Sequence, residues 1–395
     1  MNKLIITRWN QAILTVLISD NEAIEIEFEP DHQTERVHDI YIGKVKRIIK
    51  NINSAFVEYC NGRTGYYSLV DNTRHLYTRA GEHDRLKEGD EIIVQLAKEA
   101  VKTKDPVLSS ILNFSGKYTV LTYGKPLLGF SQKLTGSAEC DKWKQELRER
   151  IGPASDGETG IIIRTNAVNA TTDQILTEIE ALKEECGKVL NDAPYRTEYS
   201  RLYQAPAGYA KQIKDYSVRQ LDAVITDQKD IYEECCAIFD PVTLYQDEMV
   251  SLFNLYRLQR ILDEAIEKRV WLKSGGYLVI EPTEALTVID VNTGKYSGKK
   301  NLRETLLKIN LEAAEAVAYQ LRLRNLTGII IVDFIDMKHE EDQKILMQAL
   351  KKHTETDPVK TTVVDMTALN LVELTRKKGK RPLSEQLKYV QEKRS

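Results

Sequence analysis

The stretches Leu286-Thr-Val-Ile-Asp-Val-Asn292 and Gly328-Ile-Ile-Ile-Val-Asp333 decide the fold of the C-terminal part of the chain. Each is a short β-branched run that ends in a carboxylate, and residues 301–324 between them carry apolar side chains at helical spacing. Strand, helix and strand in this order form the crossover unit that places two parallel strands side by side. Because parallel strands present their chemistry at their carboxyl ends, we expect Asp290 and Asp333 to be neighbours.

Two neighbouring carboxylates repel each other, and something must offset the repulsion. At about 4 Å and an effective dielectric near 20, the cost is roughly 4 kcal/mol. A shared proton or a bound cation removes it, and an all-oxygen ligand set favours Mg²⁺, with Mn²⁺ as the alternative. Asn292 shares a strand face with Asp290 and is placed to hold that carboxylate. The competing interpretation is that acids at strand ends cap a helix or face water, but two acids and an amide on one face favour the metal site.

The sequence around these strands resembles the catalytic core of the ribonuclease E/G family. The resemblance is carried by motifs in the same order, namely Gly275-Gly276, Thr283-Glu-Ala-Leu-Thr287, Ile289-Asp-Val-Asn-Thr-Gly294, Asn310-Leu-Glu-Ala-Ala314, Gln320-Leu-Arg-Leu-Arg324 and Ile331-Val-Asp-Phe-Ile-Asp-Met337. Weaker similarity extends over nearly all of the rest. The resemblance implies an endoribonuclease of RNA processing and decay that cuts single-stranded RNA, such as rRNA precursors and mRNA, and leaves 5′-phosphate and 3′-hydroxyl ends.

For the active site, the resemblance implies that Asp290 and Asp333 are catalytic residues that bind Mg²⁺, with Asn292 orienting Asp290. The metal would polarise the scissile phosphate and lower the pKa of an attacking water. A basic run follows the second carboxylate strand and includes Arg376 and Lys378. Taken alone such a run is more typical of a solvated surface, but in this mechanism the two side chains would bind RNA and neutralise charge on the reacting phosphate.

The resemblance also implies four domains. Residues 1–35 with 207–272 are expected to form a discontinuous RNase H-like domain, interrupted by an OB-fold RNA-binding domain at 36–115 and a 5′-end sensor domain at 116–206. Residues 273–395 are expected to form a DNase I-like α/β catalytic domain. The predicted fold class is thus a multidomain combination of α+β and α/β parts.

Local patterns add detail to this division. Alternating apolar and acidic residues predict an antiparallel meander over residues 3–29, and residues 207–272 are expected to be mostly helical. Residues 36–115 are rich in predicted strands, and Phe56 lies on the polar face of one of them. Such a ring either stacks on a base or packs under another domain, and spacing alone does not decide between the two. The family's RNA-contacting aromatic side chains correspond to Phe56 and Tyr66, and an RNA-contacting lysine corresponds to Lys104.

The segment Gly160-Ile-Ile-Ile-Arg-Thr165 predicts a buried strand that ends in Arg164 and Thr165. An arginine fork with a hydroxyl suits a phosphate, although a structural ion pair is the more common role for such an arginine. The resemblance assigns these two residues to the sensor for a 5′-monophosphate. The nearby segment Gly129-Phe-Ser-Gln-Lys133 contains less arginine than the family pattern, which leaves the strength of end sensing open.

Composition excludes several other classes. No apolar run could span a bilayer, and the N-terminus has no signal-peptide pattern. Five scattered cysteines without a Cys-x-x-Cys motif indicate reduced thiols in a cytoplasm and no zinc. The family's Cys-Pro-x-Cys motif is missing, so any oligomer is not expected to be zinc-linked. A net charge of −3 does not by itself indicate a nucleic-acid partner.

Two rival functions stay open from the sequence. The first is an RNA-binding or ribosome-assembly factor that keeps the fold without the chemistry. The second is a DNA nuclease with the same metal chemistry. Competition between single-stranded DNA and RNA would distinguish it from a ribonuclease, because the two substrates differ in the 2′-hydroxyl. The joint presence of Asp290, Asn292 and Asp333 favours an enzyme.

Overall fold

The two ends of the chain fold together, and a long middle segment forms a second unit. The computed structural model describes residues 1–31, 35–60, 62–79, 85–100, 104–131, 134, 138–152, 157–216, 221–294 and 302–392. One unit consists of Met1–His32 with Leu221–Ser395, and the other consists of Gln33–Gln220. Packing thus separates two units, and the finer division into four domains stays a prediction.

Among the described residues, eleven strands precede the first α-helix, and strands and helices are mixed after it. Within the described residues the strands are β1 Asn2–Trp9, β2 Ala12–Ser19, β3 Glu22–Pro30, β4 Ile40–Ile49, β5 Ser54–Cys60, β6 Arg63–Ser68, β7 Glu91–Lys98, β8 Val107–Ser109, β9 Leu112–Ser115, β10 Thr119–Tyr123, β11 Leu128–Phe130, β12 Thr159–Ile163, β13 Arg201–Tyr203, β14 Ala223–Thr226, β15 Val242–Leu244, β16 Arg269–Trp271, β17 Tyr277–Pro282, β18 Leu286–Asn292, β19 Gly328–Asp333, β20 Thr361–Met366 and β21 Leu371–Arg376. The α-helices are α1 Ala138–Ile151, α2 Thr172–Asp192, α3 Gly208–Tyr216, α4 Lys229–Cys236, α5 Leu252–Leu255, α6 Leu258–Ile266, α7 Leu302–Leu323, α8 Glu340–Glu355 and α9 Leu383–Glu392. None of the helices in the described part of the chain combines the length and apolar character that a membrane crossing requires.

One sheet of the first unit joins residues that lie far apart in the sequence. Its strand order is β15-β14-β1-β2-β3. Strands β1 to β3 form the antiparallel meander predicted for residues 3–29, while β14 and β15 extend the sheet in parallel with β1. The prediction that residues 207–272 are mostly helical is therefore incomplete. It missed β14, β15 and β16, which are only three or four residues long and too short to show a periodic pattern.

The second unit contains a closed barrel. Strands β4, β5, β6, β8 and β7 pair in this order, and β7 pairs back to β4, so that the sheet closes on itself. Alternate side chains of these strands fill the interior, among them the fully buried rings of Tyr41, Tyr59 and Tyr67. A closed barrel of five strands is OB-like and agrees with the fold expected for residues 36–115.

A four-stranded sheet in the order β11-β12-β10-β9 completes the second unit together with α1 and α2. The buried strand predicted to precede Arg164 is β12. Helix α2 begins with a reciprocal capping box, in which the Thr171 hydroxyl accepts from the Gln174 N–H and the Gln174 side chain accepts from the Thr171 N–H.

The sheet that carries the two aspartates belongs to the first unit and has the order β16-β17-β18-β19-β21-β20. Strands β18 and β19 are parallel neighbours joined by α7, which confirms the predicted crossover. Buried side chains on one face, such as Ile289 and Val332, pack with residues of α7 and α8. The other face, here called the outer face, carries alternate residues that are exposed or half-buried. They include Tyr277, Val279, Val288, Asp290, Asn292, Ile331 and Asp333.

Candidate active site

The two aspartates singled out in the sequence lie directly opposite each other. Asp290 in β18 and Asp333 at the end of β19 are register partners across the parallel strand pair. Opposite residues of adjacent strands point to the same side of the sheet, and here that side is the outer face. Both side chains are exposed to solvent. The structure therefore brings together the two carboxylates that the sequence predicted to be neighbours.

Hydrogen bonding and charge distinguish the two carboxylates. The Asn292 Nδ2 donates a hydrogen bond of 2.6 Å to the Asp290 Oδ2, as its position two residues further along the strand predicted. Partial burial, followed by the negative charges of Asp290 and Asp336, raises the pKa of Asp333 above its ordinary value. Within the described residues neither Asp290 nor Asp333 has an ion-pair partner. A cation on the outer face would offset the repulsion between the two carboxylates.

The donor set fits a lightly coordinated hard cation. In the described ranges no group of three or more His, Cys, Asp or Glu side chains is arranged to hold a metal. Mg²⁺ keeps several of its waters and is commonly held by one or two carboxylates, so that Asp290 and Asp333 are sufficient protein ligands. Asp336 is engaged elsewhere, since its Oδ1 accepts a hydrogen bond of 3.1 Å from the Asn370 Nδ2.

A buried amide in α7 fixes the chain immediately after Asp333. Asn310 is fully buried, and its Nδ2 donates to the Ile335 carbonyl at 2.7 Å while its Oδ1 accepts from the Ile335 N–H at 3.0 Å. Both backbone groups of Ile335 are thereby satisfied, and the exit of β19 has one defined path. Sequence reasoning assigned no role to Asn310. The sequence feature that could have indicated this role is an amide side chain among the apolar residues of a predicted helix.

Close backbone packing fixes the end of β18 in a similar way. A Cβ on Gly276 would lie 2.8 Å from the Asn292 carbonyl oxygen, and a Cβ on Gly294 would clash with the carbonyl of Gly275. Gly294 also has a positive φ of 59°. The turn between β16 and β17 therefore packs directly on the strand end that carries Asn292, which only glycine permits.

The predicted contact of Arg376 with the reacting phosphate does not fit the structure. In β21 Arg376 pairs with Gly328, whereas Leu371 pairs with Asp333, so Arg376 is five residues, or about 16 Å, from the carboxylates along the strand. Its side chain is 3% exposed and forms an ion pair of 2.7 Å with Asp357. We therefore assign Arg376 to the stability of the sheet.

Lys378 lies at the same distant end of the sheet. Its side chain passes over Gly328, which is the first residue of β19, whereas Asp333 is the last. The expected role of Lys378 at the phosphate is therefore corrected as well. Antiparallel pairing of β21 with β19 carries the basic run away from the carboxylates, although the run is close to them in the sequence.

The predicted RNA-contacting rings form a pair on the outside of the barrel. Phe56 and Tyr66 are register partners on β5 and β6, are half-buried, and have ring centroids 6.4 Å apart at an interplanar angle of 80°. The exposed Arg47 is the register partner of Phe56 on β4. Lys104 is also exposed. Half-buried rings with a neighbouring cation such as Arg47 suit single-stranded nucleic acid, and the exposed Lys104 is accessible, so the structure is compatible with the predicted role of Phe56, Tyr66 and Lys104.

The predicted sensor residues are engaged within the second unit. The Arg164 guanidinium donates to the Gly116 carbonyl at 2.7 Å and forms an ion pair with Asp215. The Thr165 hydroxyl lies 2.8 Å from that of Ser131, which belongs to the 129–133 segment considered with it in the sequence. Part of that segment, 132–133, lies outside the described residues. The structural ion pair that was the alternative for Arg164 is thus present, and phosphate sensing stays a prediction.

Comparisons with known proteins agree with the geometry of the site. The model of the Ribonuclease E/G family matches residues 113–379. Ribonuclease G of Escherichia coli (strain K12) is 32% identical over 374 residues, which cover 90% of this chain and 75% of that protein. Ribonuclease G of Haemophilus influenzae is 32% identical over 377 residues, or 91% of this chain and 76% of the relative. Ribonuclease E of a Synechocystis strain is 32% identical over 360 residues, or 87% of this chain and 52% of the relative.

Removing Arg376 is expected to destabilise the first unit. The change Arg376→Ala leaves the Asp357 carboxylate buried without its cation, which costs about 3–5 kcal/mol of unfolding free energy. Denaturant unfolding followed by circular dichroism measures this loss. The exposed neighbour change Lys378→Ala serves as the control and should stay within about 0.5 kcal/mol of the unmodified protein. A fully stable Arg376→Ala protein would contradict the assignment.

Replacing Asn310 is expected to loosen the exit of β19. The change Asn310→Leu leaves the N–H and C=O of Ile335 without partners, at about 1–3 kcal/mol for each group. Affinity for Mg²⁺ should fall by roughly 10- to 100-fold, as it does when groups that orient metal ligands are removed. Unfolding curves and isothermal titration calorimetry with Mg²⁺ test both effects. Lys308→Ala, an exposed position on the same helix, should change neither.

Proposed function

The chain belongs to the ribonuclease E/G family, and from this premise we propose that it is a Mg²⁺-dependent endoribonuclease that cuts single-stranded RNA during RNA processing and decay. The observation that carries the proposal is the direct register of Asp290 with Asp333 on an exposed sheet face. Two carboxylates without a cationic partner among the described residues form a site that needs a metal before it can approach a phosphate. The substrates that we propose are rRNA precursors and mRNA in the cytoplasm.

Each residue of the site has a separate task. Asp290 and Asp333 hold the cation, and Asn292 occupies one oxygen of Asp290, so that the carboxylate keeps a single orientation. When bound, Mg²⁺ supplies the Lewis acidity that polarises the phosphate and acidifies a water. Asp333 must be deprotonated to bind a cation, and its raised pKa means that metal binding weakens at a higher pH than for an ordinary aspartate. We expect hydrolysis to leave 5′-phosphate and 3′-hydroxyl ends.

The second unit would bind the substrate. Phe56 and Tyr66 provide stacking surfaces on the OB-like barrel, and Lys104 provides a charge for the RNA backbone. Arg164 and Thr165 would bind a 5′-monophosphate, with the Arg164 fork exchanging Asp215 for the ligand. In this proposal the barrel is the family's OB-fold RNA-binding domain and residues 116–206 its sensor. The first unit would then comprise RNase H-like and DNase I-like domains.

The change Asp333→Asn tests the assigned catalyst. Cleavage of a 5′-monophosphorylated, single-stranded RNA oligomer in Mg²⁺ should slow by at least about 100-fold, because one of two metal-binding charges is lost. The matched control is Asp336→Asn, which removes an exposed carboxylate three residues further on and should retain activity.

Chelation should stop cleavage, and added Mg²⁺ or Mn²⁺ should restore it. Unchanged cleavage by Asp333→Asn would show that another group is the catalyst. Binding without cleavage by the unmodified protein would favour a non-catalytic RNA-binding factor.

The change Arg164→Lys tests end sensing, because lysine keeps the charge and loses the bidentate fork. The ratio of cleavage rates on matched 5′-monophosphorylated and 5′-triphosphorylated oligomers should fall towards one. Arg196→Ala, at an exposed arginine of the same unit, should leave the ratio unchanged. Thermal unfolding of both variants controls for loss of the ion pair with Asp215. A ratio that survives in a folded Arg164→Lys protein would exclude Arg164 as the sensor.

A further inference from the structure

Two aromatic rings and a guanidinium group lie together on the outer face of the aspartate-bearing sheet. They belong to Arg269, Trp271 and Tyr277 and are here called the aromatic patch. The ring centroids of Trp271 and Tyr277 are 5.2 Å apart, and the Arg269 guanidinium carbon lies 4.5 Å from the Tyr277 centroid and 5.7 Å from that of Trp271. These contacts form a continuous π and cation–π surface.

Strand register connects the aromatic patch to the candidate active site. Trp271 on β16 is paired with Tyr277 on β17, and Tyr277 is paired with Asn292 on β18. Since neighbouring strands lie about 4.8 Å apart, Trp271 is two strand spacings, or roughly 10 Å, from Asn292 on the same face. Two positions away along each strand, on the same face, Arg269 is paired with Val279, and Val279 is paired with Asp290. The patch is therefore within reach of the nucleotide adjoining a phosphate held at the two aspartates.

The solvent exposure of the aromatic patch distinguishes it from a cluster of side chains that only stabilises the fold. Trp271 is 63% exposed, although tryptophan is a side chain that folded proteins usually cover. Arg269 is exposed as well and has no carboxylate partner among the described residues, whereas the preceding Lys268 forms an ion pair with Glu281. The fold thus leaves a ring face and a cation available to a ligand.

We propose that the aromatic patch is a nucleotide subsite, in which a base next to the scissile phosphate stacks on Trp271 while Arg269 contacts its backbone phosphate. A stacked base and a charge-assisted phosphate contact are the interactions that such a surface offers to single-stranded RNA without selecting a sequence. The inference rests on the proposed function, since it adds a substrate contact to the same site.

The test combines Trp271→Ala with RNA oligomers that carry one abasic residue at each position flanking the cleavage site. For the unmodified protein, an abasic residue at the position that stacks should raise KM. For Trp271→Ala, KM on intact RNA should rise by about 5- to 150-fold, and the abasic residue at that position should cause no further increase. The change Trp271→Phe keeps a ring and should recover most of the affinity. Tyr195→Ala, at an aromatic residue of the other unit that is 88% exposed, should behave as the unmodified protein.

The failures of the two proposals are distinguishable. Cleavage by Trp271→Ala with an unchanged KM and an unchanged abasic profile would overturn the subsite and leave the proposed function intact. An equal rise in KM for every oligomer, without loss of sensitivity at one position, would also overturn it. If the unmodified protein binds RNA without cutting it, fluorescence anisotropy with the same oligomers still tests the stacking. A change in oligomeric mass for Trp271→Ala with unchanged RNA affinity would assign the patch to protein contact instead.

Discussion

The register between β18 and β19, which places Asp290 opposite Asp333, is the constraint on which the candidate site depends. Direct register leaves both charges on one face, and the pKa of Asp333 is raised by partial burial first and by the charge of Asp290 second. Strand register is set by the buried face, because a shift of one residue would turn every core side chain outward. The apolar contacts of Ile289 and Val332 beneath α7 therefore keep two like charges together. The hydrophobic core provides the stability, and the outer face carries the candidate active site.

In the proposed function, binding to RNA would depend on local groups and not on a long-range field. The chain has a net charge of −3, which offers no general attraction to a polyanion. The surfaces proposed to contact RNA instead combine aromatic rings with single cations, as at Phe56 and Tyr66 on the barrel and at Trp271 and Arg269 on the sheet. Such surfaces favour bases that are unstacked and accessible, which a duplex does not present. The proposed contacts would therefore give a preference for single strands.

The sequence predicted what depends on local pattern. The crossover from β18 through α7 to β19, the pairing of the two aspartates and the position of Asn292 follow from strand periodicity and helical spacing. Arg376 was placed wrongly because distance along the chain says nothing about the direction of a strand, and β21 runs back along β19. Strand β14 escaped notice because its partner, β1, is more than 200 residues away in the sequence. Asn310 was quoted within a motif, but its role depends on a backbone segment that only the folded structure brings near.

The sheet that joins the two ends of the chain has a consequence for biosynthesis. Strand β1 emerges from the ribosome before β14, so its parallel pairing must wait until β14 has been made. At about 5–20 residues per second, the intervening Gln33–Gln220 delays that pairing by roughly 10–40 s. During this interval the nascent meander keeps an edge with unpaired backbone groups, which is prone to associate with other chains. The inserted unit contains its own closed barrel and core, so it can fold first and shorten the period of exposure.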